Sequence, residues 1–588
     1  MLNLSLVPTH LRNTVTKVVP MLFFRLLDPS WNRAGTAGLV IANRLSEDPR
    51  VTVAVVEAGD DVRNDPVVAS LNFSFSDFNT SINWQYTSVP QANLGDRAMS
   101  YRAGKAIGGS SIVNGFVVVR GDKAQYDAWE DLGNKGWNWD TVFASFKAGE
   151  QFIPPTEAQV VAGATYDPNA HGTSGLLTIS FPFDLSNSSY HSKATESWKK
   201  LGLEPIKDLN SGHSHGTAMA PCTADRDISA RESSATAYYQ PFGSRKNLKI
   251  LKGTVSRVTW GRNSGNLAVA DGVEYLTPTG KLVKIGVRRD AIISASVYRS
   301  PLILESSGVG NPKILKKLGI TTKVSLPGVG ESFQDHNAMG MAYATKDVIN
   351  GRLPFAVMVT ADDVFGDNKS AIVKSSRAQL ASWAKIASKA SGGAISEKAF
   401  LKRYQVQHDL IFRENVTIAE IFPTNGGTNI IQQFWASLPF SYGSIHLGAA
   451  NKIDEPVIDP KLATFDFDVQ TMASLAKLSR EVYRLPPLSG LVTAELVPGE
   501  STLSFDAAAQ WTAYVKGNMA NAMHAIGTCA MLPRDLGGVV DARVKVHGTK
   551  NVRVVDASII PMQLSGHTMG PVYAVAERAA ALIKEDWK

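Results

Sequence analysis

Val51-Thr52-Val53-Ala54-Val55-Val56-Glu57-Ala58-Gly59 is a run of apolar and β-branched residues closed by an acid, an alanine and a glycine. A run without polar alternation predicts a strand buried on both faces, as in a parallel sheet. Upstream, Gly35-Thr36-Ala37-Gly38 leads into Leu39-Val40-Ile41-Ala42-Asn43-Arg44-Leu45, which reads as a helix begun at the glycines. Helix followed by buried strand is the second half of a βαβ unit. The acid Glu57 at its end suits a ribose hydroxyl contact in a dinucleotide site.

The first half of that unit reads poorly. The fingerprint G-x-G-x-x-G is represented at positions 33, 35 and 38 by Arg33, Gly35 and Gly38, so the glycine of the tight turn is missing. Asp28-Pro29-Ser30-Trp31-Asn32 stands where an apolar strand belongs, and proline removes a ladder donor. The expectation is that the first strand is absent and that residues 1–32 form an atypical N-terminal segment.

Later segments supply what this one lacks. Gly104-Lys105-Ala106-Ile107-Gly108-Gly109-Ser110-Ser111-Ile112-Val113-Asn114-Gly115 is a loop whose backbone N–H groups can approach a pyrophosphate or flavin closely. Asp290-Ala291-Ile292-Ile293-Ser294-Ala295 predicts another short strand. It leads to Ser300-Pro301-Leu302-Ile303-Leu304-Glu305-Ser306-Ser307-Gly308-Val309-Gly310. Near the C-terminus, His524 in Ala522-Met523-His524-Ala525 and His567 in Ser565-Gly566-His567-Thr568 flank the strand-like Asn551-Val552-Arg553-Val554-Val555-Asp556-Ala557-Ser558. Two imidazoles beside a cofactor site can move protons at neutral pH.

Composition bounds the rest. A chain of 588 residues, 44% hydrophobic, is long enough for two domains. Its net charge of +7 is partly an N-terminal effect, with Arg12, Lys17, Arg25 and Arg33 against Asp28, and no nucleic-acid footprint is seen. No apolar run reaches the ~20 residues of a membrane span. The run Val18–Leu27 is broken by Pro20 and Arg25 and does not read as a signal peptide. Sequons at Asn3, Asn72, Asn79, Asn187, Asn368 and Asn415 favour a secretory origin weakly. Cys222 and Cys529 imply no disulfide framework, and Cys529 reads as buried and inert. Metal-ligand spacing is missing.

These blocks, in this order from about Gly35 to the C-terminus, resemble the glucose-methanol-choline (GMC) family of FAD-dependent oxidoreductases, in particular its fungal glucose-oxidase-like branch. Val118 and Val297 depart from the family's first and second signatures; Ser441-Tyr442-Gly443-Ser444-Ile445-His446-Leu447 resembles a strand of the substrate domain, with Tyr442 where the family usually has Arg. The resemblance implies an α/β fold (α+β overall). A Rossmann-like FAD domain is assembled from discontinuous segments, mainly 33–335 and 521–588. A substrate domain with an antiparallel sheet spans 336–520 with part of 155–225.

Carried over residue by residue, the resemblance makes His524 the catalytic base and His567 its partner. FAD is assigned to Gly35, Thr36, Ala37, Gly38 and Glu57 at the dinucleotide end, and to Ser110, Asn114, Gly115 and Val117 in the central loop. Val255 falls on the adenine side; Asp556, Ala557 and Met569 fall at the flavin end. His336, after Gln334-Asp335, is read as structural, and His446 as packing or surface. The implied partners are a small-molecule alcohol and an electron acceptor.

Sugar-oxidising members place Arg and Asn just ahead of the catalytic His, and an acid two residues before a pocket Trp. Here Ala520-Asn521-Ala522-Met523 precedes His524, and Gln433 precedes Trp435. A sugar needs dense hydrogen bonding, and each unpaired hydroxyl costs about 1–3 kcal/mol. The expected substrate is therefore an apolar or aromatic alcohol, or a secondary-metabolite intermediate. Three other readings stay open: a non-redox cyclase of the versicolorin-B-synthase kind, a sugar oxidase or dehydrogenase, and a flavin-poor pseudoenzyme. The last is motivated by Arg33 and the missing strand, which also lead one to expect weakened FAD affinity.

Overall fold

The computed structural model describes residues 29–32, 34–71, 81–183, 190–350, 354–450, 452–499, 504 and 508–588. Residues 1–28, including the run Val18–Leu27, lie outside the described residues, as do Arg33 and the sequons at Asn3, Asn72, Asn79 and Asn187. Asn368 is exposed and Asn415 half-buried.

The buried run forms the strand Thr52–Glu57, in which Val53, Ala54, Val55 and Val56 are all buried. Side chains hidden on both faces require neighbours on both edges. They are present: five parallel strands lie in the order Leu248–Lys252, Thr52–Glu57, Pro29–Asn32, Ala291–Ile293 and Val552–Val554. The strand expected to be absent is thus at the centre of the sheet. Pro29 opens it, paired with Thr52, and the register continues to Asn32 with Val55. Proline is tolerated at the first residue of a strand, and the three residues after it each keep a ladder donor. Pairing is imposed by the strands on either side rather than by the segment's own apolarity.

The helix Thr36–Leu45 crosses from this central strand to Thr52–Glu57 and buries nearly all of its length. It packs on the C-terminal helix Met569–Asp586. Arg44 Nε and Nη2 bind the two carboxylate oxygens of Glu577 at 2.8 and 2.9 Å, and the Tyr238 hydroxyl donates to Glu577 at 2.8 Å. A bidentate pair fixes both angle and distance, so the last helix is locked to the first.

The second sheet is antiparallel and seven-stranded. Its order is Val492–Val497, Asn337–Thr345, Asn429–Ala436, Ala419–Gly426, Phe355–Val359 and Gly216–Met219, with Ala520–Asn521 also paired to Asn337–Thr345. Strand Asn337–Thr345 alternates buried and half-buried along its whole length, the period of a sheet with two different faces. The helix Asp466–Val482 covers the side of Met339, Met341 and Tyr343, and Gln432 Nε2 donates to its Ser479 carbonyl at 3.0 Å. Gly443–Leu447 does form a strand, but in a separate three-stranded sheet between Glu331–Phe333 and Pro456–Asp459.

His446 on that strand is neither loose packing nor surface. Its Nδ1 lies 2.7 Å from Glu305 Oε1 and its Nε2 3.3 Å from Glu331 Oε1, both carboxylates being buried. Burial works against the charged ring, but hydrogen bonds and attraction to Glu305 and Glu331 outweigh it and push His446 up to about 10. Because this lies above the unfolded value of about 6.5, the clasp contributes fully below about pH 6.5. Its contribution is lost as pH rises through about 10. His446→Leu leaves two buried carboxylates without a counter-charge, which costs about 3–5 kcal/mol. The expected result is a Tm deficit against wild type that is largest near pH 6 and shrinks towards pH 10 in calorimetry.

Candidate active site

Three parallel strands end on one cavity of about 950 Å³. Glu57 closes the first, Ser294-Ala295-Ser296 follow the second, and Asp556-Ala557 follow the third. The helix begun at Gly35 has no side-chain cap, and Gly35, Thr36 and Ala37 line the same cavity. Uncapped N–H groups at a helix start suit an anionic group.

The glycine loop reaches this helix backbone to backbone. Gly109 has φ +54°, and a Cβ there would lie 2.6 Å from Gly35 Cα and 3.2 Å from Thr36 N. A Cβ on Gly104 would lie 2.1 Å from the Gly109 carbonyl oxygen. Ser110 Oγ accepts from Gly104 N at 3.2 Å and closes the loop on itself. Asn114 is held at both ends of its amide: Nδ2 reaches Met569 Sδ at 2.7 Å, and Oδ1 accepts from Phe116 N and Arg231 Nη1. Asp556 is fully buried; Oδ2 accepts from Ser296 N at 2.9 Å and Ser300 Oγ at 2.6 Å, Oδ1 from Ser558 N at 2.8 Å. Burial raises its carboxyl against these hydrogen bonds.

Of the residues assigned from sequence, Gly35, Thr36, Ala37, Glu57, Ser110, Asn114, Gly115, Val117, Asp556, Ala557, Met569, His524 and His567 all line this cavity. Gly38 and Val255 are not in its wall; Gly38 is buried further along the helix, and Val255 is buried on the strand Thr254–Trp260. A long cavity with an uncapped helix start at one end and paired imidazoles at the other fits a dinucleotide carrying a reactive ring.

The histidines sit where the second sheet meets the first. Their ring centroids are 4.8 Å apart, and Trp435 faces both at 5.7 and 5.4 Å. His567 Nε2 lies 3.1 Å from Glu420 Oε1, and its backbone N donates to the Val119 carbonyl at 3.0 Å. His524 N donates to Asp335 Oδ1 at 2.8 Å, and His524 Nδ1 lies 3.0 Å from His336 Nδ1. Burial, reinforced by the neighbouring His567 and His336 rings, holds His524 well below the usual imidazole range. A neutral ring at ordinary pH can accept a proton.

Glu420 was not singled out from sequence, nor was the contact of His336 with His524. Glu420 is fully buried on Ala419–Gly426 and pairs across the ladder with Trp435, as Phe422 pairs with Gln433. Cross-strand partners share a face, so one face presents Glu420, Phe422, Gln433 and Trp435. A lone acid in Ile418-Ala419-Glu420-Ile421-Phe422 was the available signal.

Comparison with known proteins now decides the family. Two family models, both described as GMC oxidoreductase, match residues 31–338 and 439–576. The chain belongs to the GMC oxidoreductase family. It is an FAD-dependent oxidoreductase. The glucose oxidase-like protein fsoC of Humicola fuscoatra is 43% identical over 560 residues, 94% of each chain. Glucose oxidase 2 of Penicillium expansum is 33% identical over 94% of this chain and 91% of its own. An FAD-dependent oxidoreductase from Chaetomium thermophilum superposes with a TM-score of 0.85 at 28% identity, covering 95% of this chain and 99% of that one. A fungal aryl-alcohol oxidase shares the fold at the same TM-score and 24% identity. No cluster able to hold a metal and no helix long and apolar enough to cross a membrane occurs among the described residues.

With the central strand in place, the motive for a flavin-poor protein falls to Arg33 alone. Gly109→Ala tests the cradle. The left-handed φ and the contact with Gly35 together cost on the order of 1–3 kcal/mol. Retention of FAD is expected to fall about tenfold or more, read as the flavin-to-protein absorbance ratio after dialysis. An unchanged ratio contradicts the assigned cradle.

Proposed function

We propose that this GMC oxidoreductase oxidises an apolar or aromatic alcohol, with His524 as the base and His567 as its partner. The observation that carries the substrate class is the cavity wall beside the histidines. Ala520, Ala522 and Met523 precede His524; Trp435 and Phe422 stand beside the imidazoles, and Ala338 and Gly340 line the same wall. Gln433 is the nearest ladder neighbour of Gly340 and Phe422, and it is an amide where sugar-oxidising members carry an acid. These rings and small side chains gain by burying a ring, at about 25 cal/mol per Å². The polar side chains beside them, Gln433, Thr424, Asn425 and Asn521, are all uncharged.

In this reading each group has a task. His524 turns Nδ1 to His336, so its Nε2 edge is left for the cavity and takes the hydroxyl proton of the alcohol. Glu420 accepts from His567 Nε2 and orients that ring so that its other edge can hold the alcohol oxygen. Trp435 stands against both imidazoles and excludes water from one side. FAD, when bound, supplies the acceptor for the hydride leaving the carbinol carbon. Gly35, Thr36 and Ala37 would hold its diphosphate end, Ser110, Asn114 and Gly115 its middle, and Ala557 and Met569 its ring.

Steady-state assays with benzylic alcohols and with glucose, using an artificial electron acceptor, test this reading. The expected kcat/KM is higher for the benzylic alcohols, and glucose outperforming them would sink the substrate assignment. His524→Ala is expected to lower the rate of substrate reduction of the enzyme by roughly 10²–10⁴-fold while FAD stays bound. Glu420→Gln keeps an acceptor at His567 but removes the charge, so a smaller loss, about tenfold, is expected in the same measurement.

A further inference from the structure

One methionine of the cavity wall is open to solvent. Met523 lines the cavity directly before His524 and is 39% exposed. Its left-handed backbone, φ +61°, and the bond from its N–H to Asn521 Oδ1 at 3.2 Å set the turn on which the side chain stands. The other methionines among the described residues are sheltered. All but Met569 are buried, the most exposed of them being Met339 at 7%. Met569 is half-buried, and its Sδ already accepts from Asn114 Nδ2 at 2.7 Å and from Thr223 Oγ1 at 3.6 Å. Both cysteines are buried, and burial pushes the Cys529 thiol up, away from the reactive thiolate.

Exposure decides which thioether meets a dissolved oxidant. A methionine sulfur needs no deprotonation to react with hydrogen peroxide. Its lone pair bonds to one peroxide oxygen, the O–O bond breaks, and the second oxygen leaves as water with both peroxide protons. The sulfur is oxidised by two electrons and the peroxide is reduced by two. An apolar chain thereby becomes a polar, chiral one that accepts hydrogen bonds.

At Met523 that change falls on the substrate's side of the site. Trp435, Phe422, Ala520 and Ala522 stand on the same wall. A sulfoxide among them either meets an apolar ring without a donor or keeps its water and holds the ring off. The base is not displaced, because His524 N donates to Asp335 Oδ1 at 2.8 Å through the main chain, independently of the Met523 side chain. The cost falls on binding more than on the chemical step.

We propose that Met523 is an oxidation-sensitive modification site, whose conversion to the sulfoxide by hydrogen peroxide weakens the binding of an apolar alcohol in the cavity. The effect on binding rests on the alcohol reading above; the selectivity of the oxidation does not.

The test uses the full-length, FAD-loaded protein, treated with graded hydrogen peroxide, quenched with catalase and mapped by mass spectrometry. Met519, Met523 and Met531 share the tryptic peptide Gly517–Arg534, so fragment ions assign the added oxygen. Met523 is expected to gain one oxygen about tenfold faster, or more, than any other described methionine. The KM for a benzylic alcohol is expected to rise about tenfold in step with that gain, with a smaller change in kcat. Methionine sulfoxide reductases for both epimers should bring it back. Met523→Leu, compared with its own untreated state, should hold its KM through the same treatment.

Oxidation of Met523 no faster than that of the buried methionines overturns the proposal, and so does complete oxidation there with KM unchanged. A Leu variant whose KM rises as the wild type's does puts the effect elsewhere and overturns it too. Should the Leu variant lose its FAD, the wild-type time courses and their reversal decide alone. If no benzylic alcohol is turned over, the proposed function fails, while the peptide map still decides the modification site.

Discussion

A single buried carboxylate organises the catalytic end of the molecule. Asp335 is buried, and its Oδ1 accepts from the backbone N–H of His524 at 2.8 Å. Burial pushes it up to about 7 against backbone hydrogen bonding. The residue before His524, Met523, sits at φ +61°, a region that a side chain of its size occupies only under constraint, and its own N–H donates to Asn521 Oδ1 at 3.2 Å. The turn at Met523 aims His524 at the cavity. Asp335 thereby converts a strained backbone into a fixed imidazole, and the neighbouring His336 side chain meets the same ring.

The other end of the cavity depends on topology more than on any side chain. Three parallel strands deliver Glu57, Ser296 and Asp556 to one place because parallel strands end at the same edge of their sheet. Asp556 then ties two of these ends together through Ser296 and Ser300. That arrangement was legible in the sequence wherever burial and glycine spacing write it. Val51–Val56 could be nothing but a doubly buried strand, and Gly104–Gly115 could only be a loop approached closely by something.

What was not legible was pairing. Pro29–Asn32 has no apolar signature, yet it is the middle strand, because two ladders on either side supply the driving force that its own residues lack. Ser441–Leu447 showed itself as a strand but not which sheet it would join, since three-residue partners such as Glu331–Phe333 leave no periodic trace. Glu420 and the His336 contact were hidden for the same reason. A ladder register and a ring-to-ring approach across 188 positions are properties of the fold, and one-dimensional spacing carries neither.

The two imidazoles of the site are not equivalent, and the difference lies in what stands behind each. His567 faces a buried carboxylate, Glu420, so its Nε2–H has a charged acceptor and its orientation is set by a strong hydrogen bond. His524 faces a neutral ring, so nothing behind it favours a second proton, and burial disfavours one further. The sheet register that buries Glu420 beside Trp435 is what gives the two rings different partners, and in the proposed oxidation it is the ring without a carboxylate behind it that takes the proton.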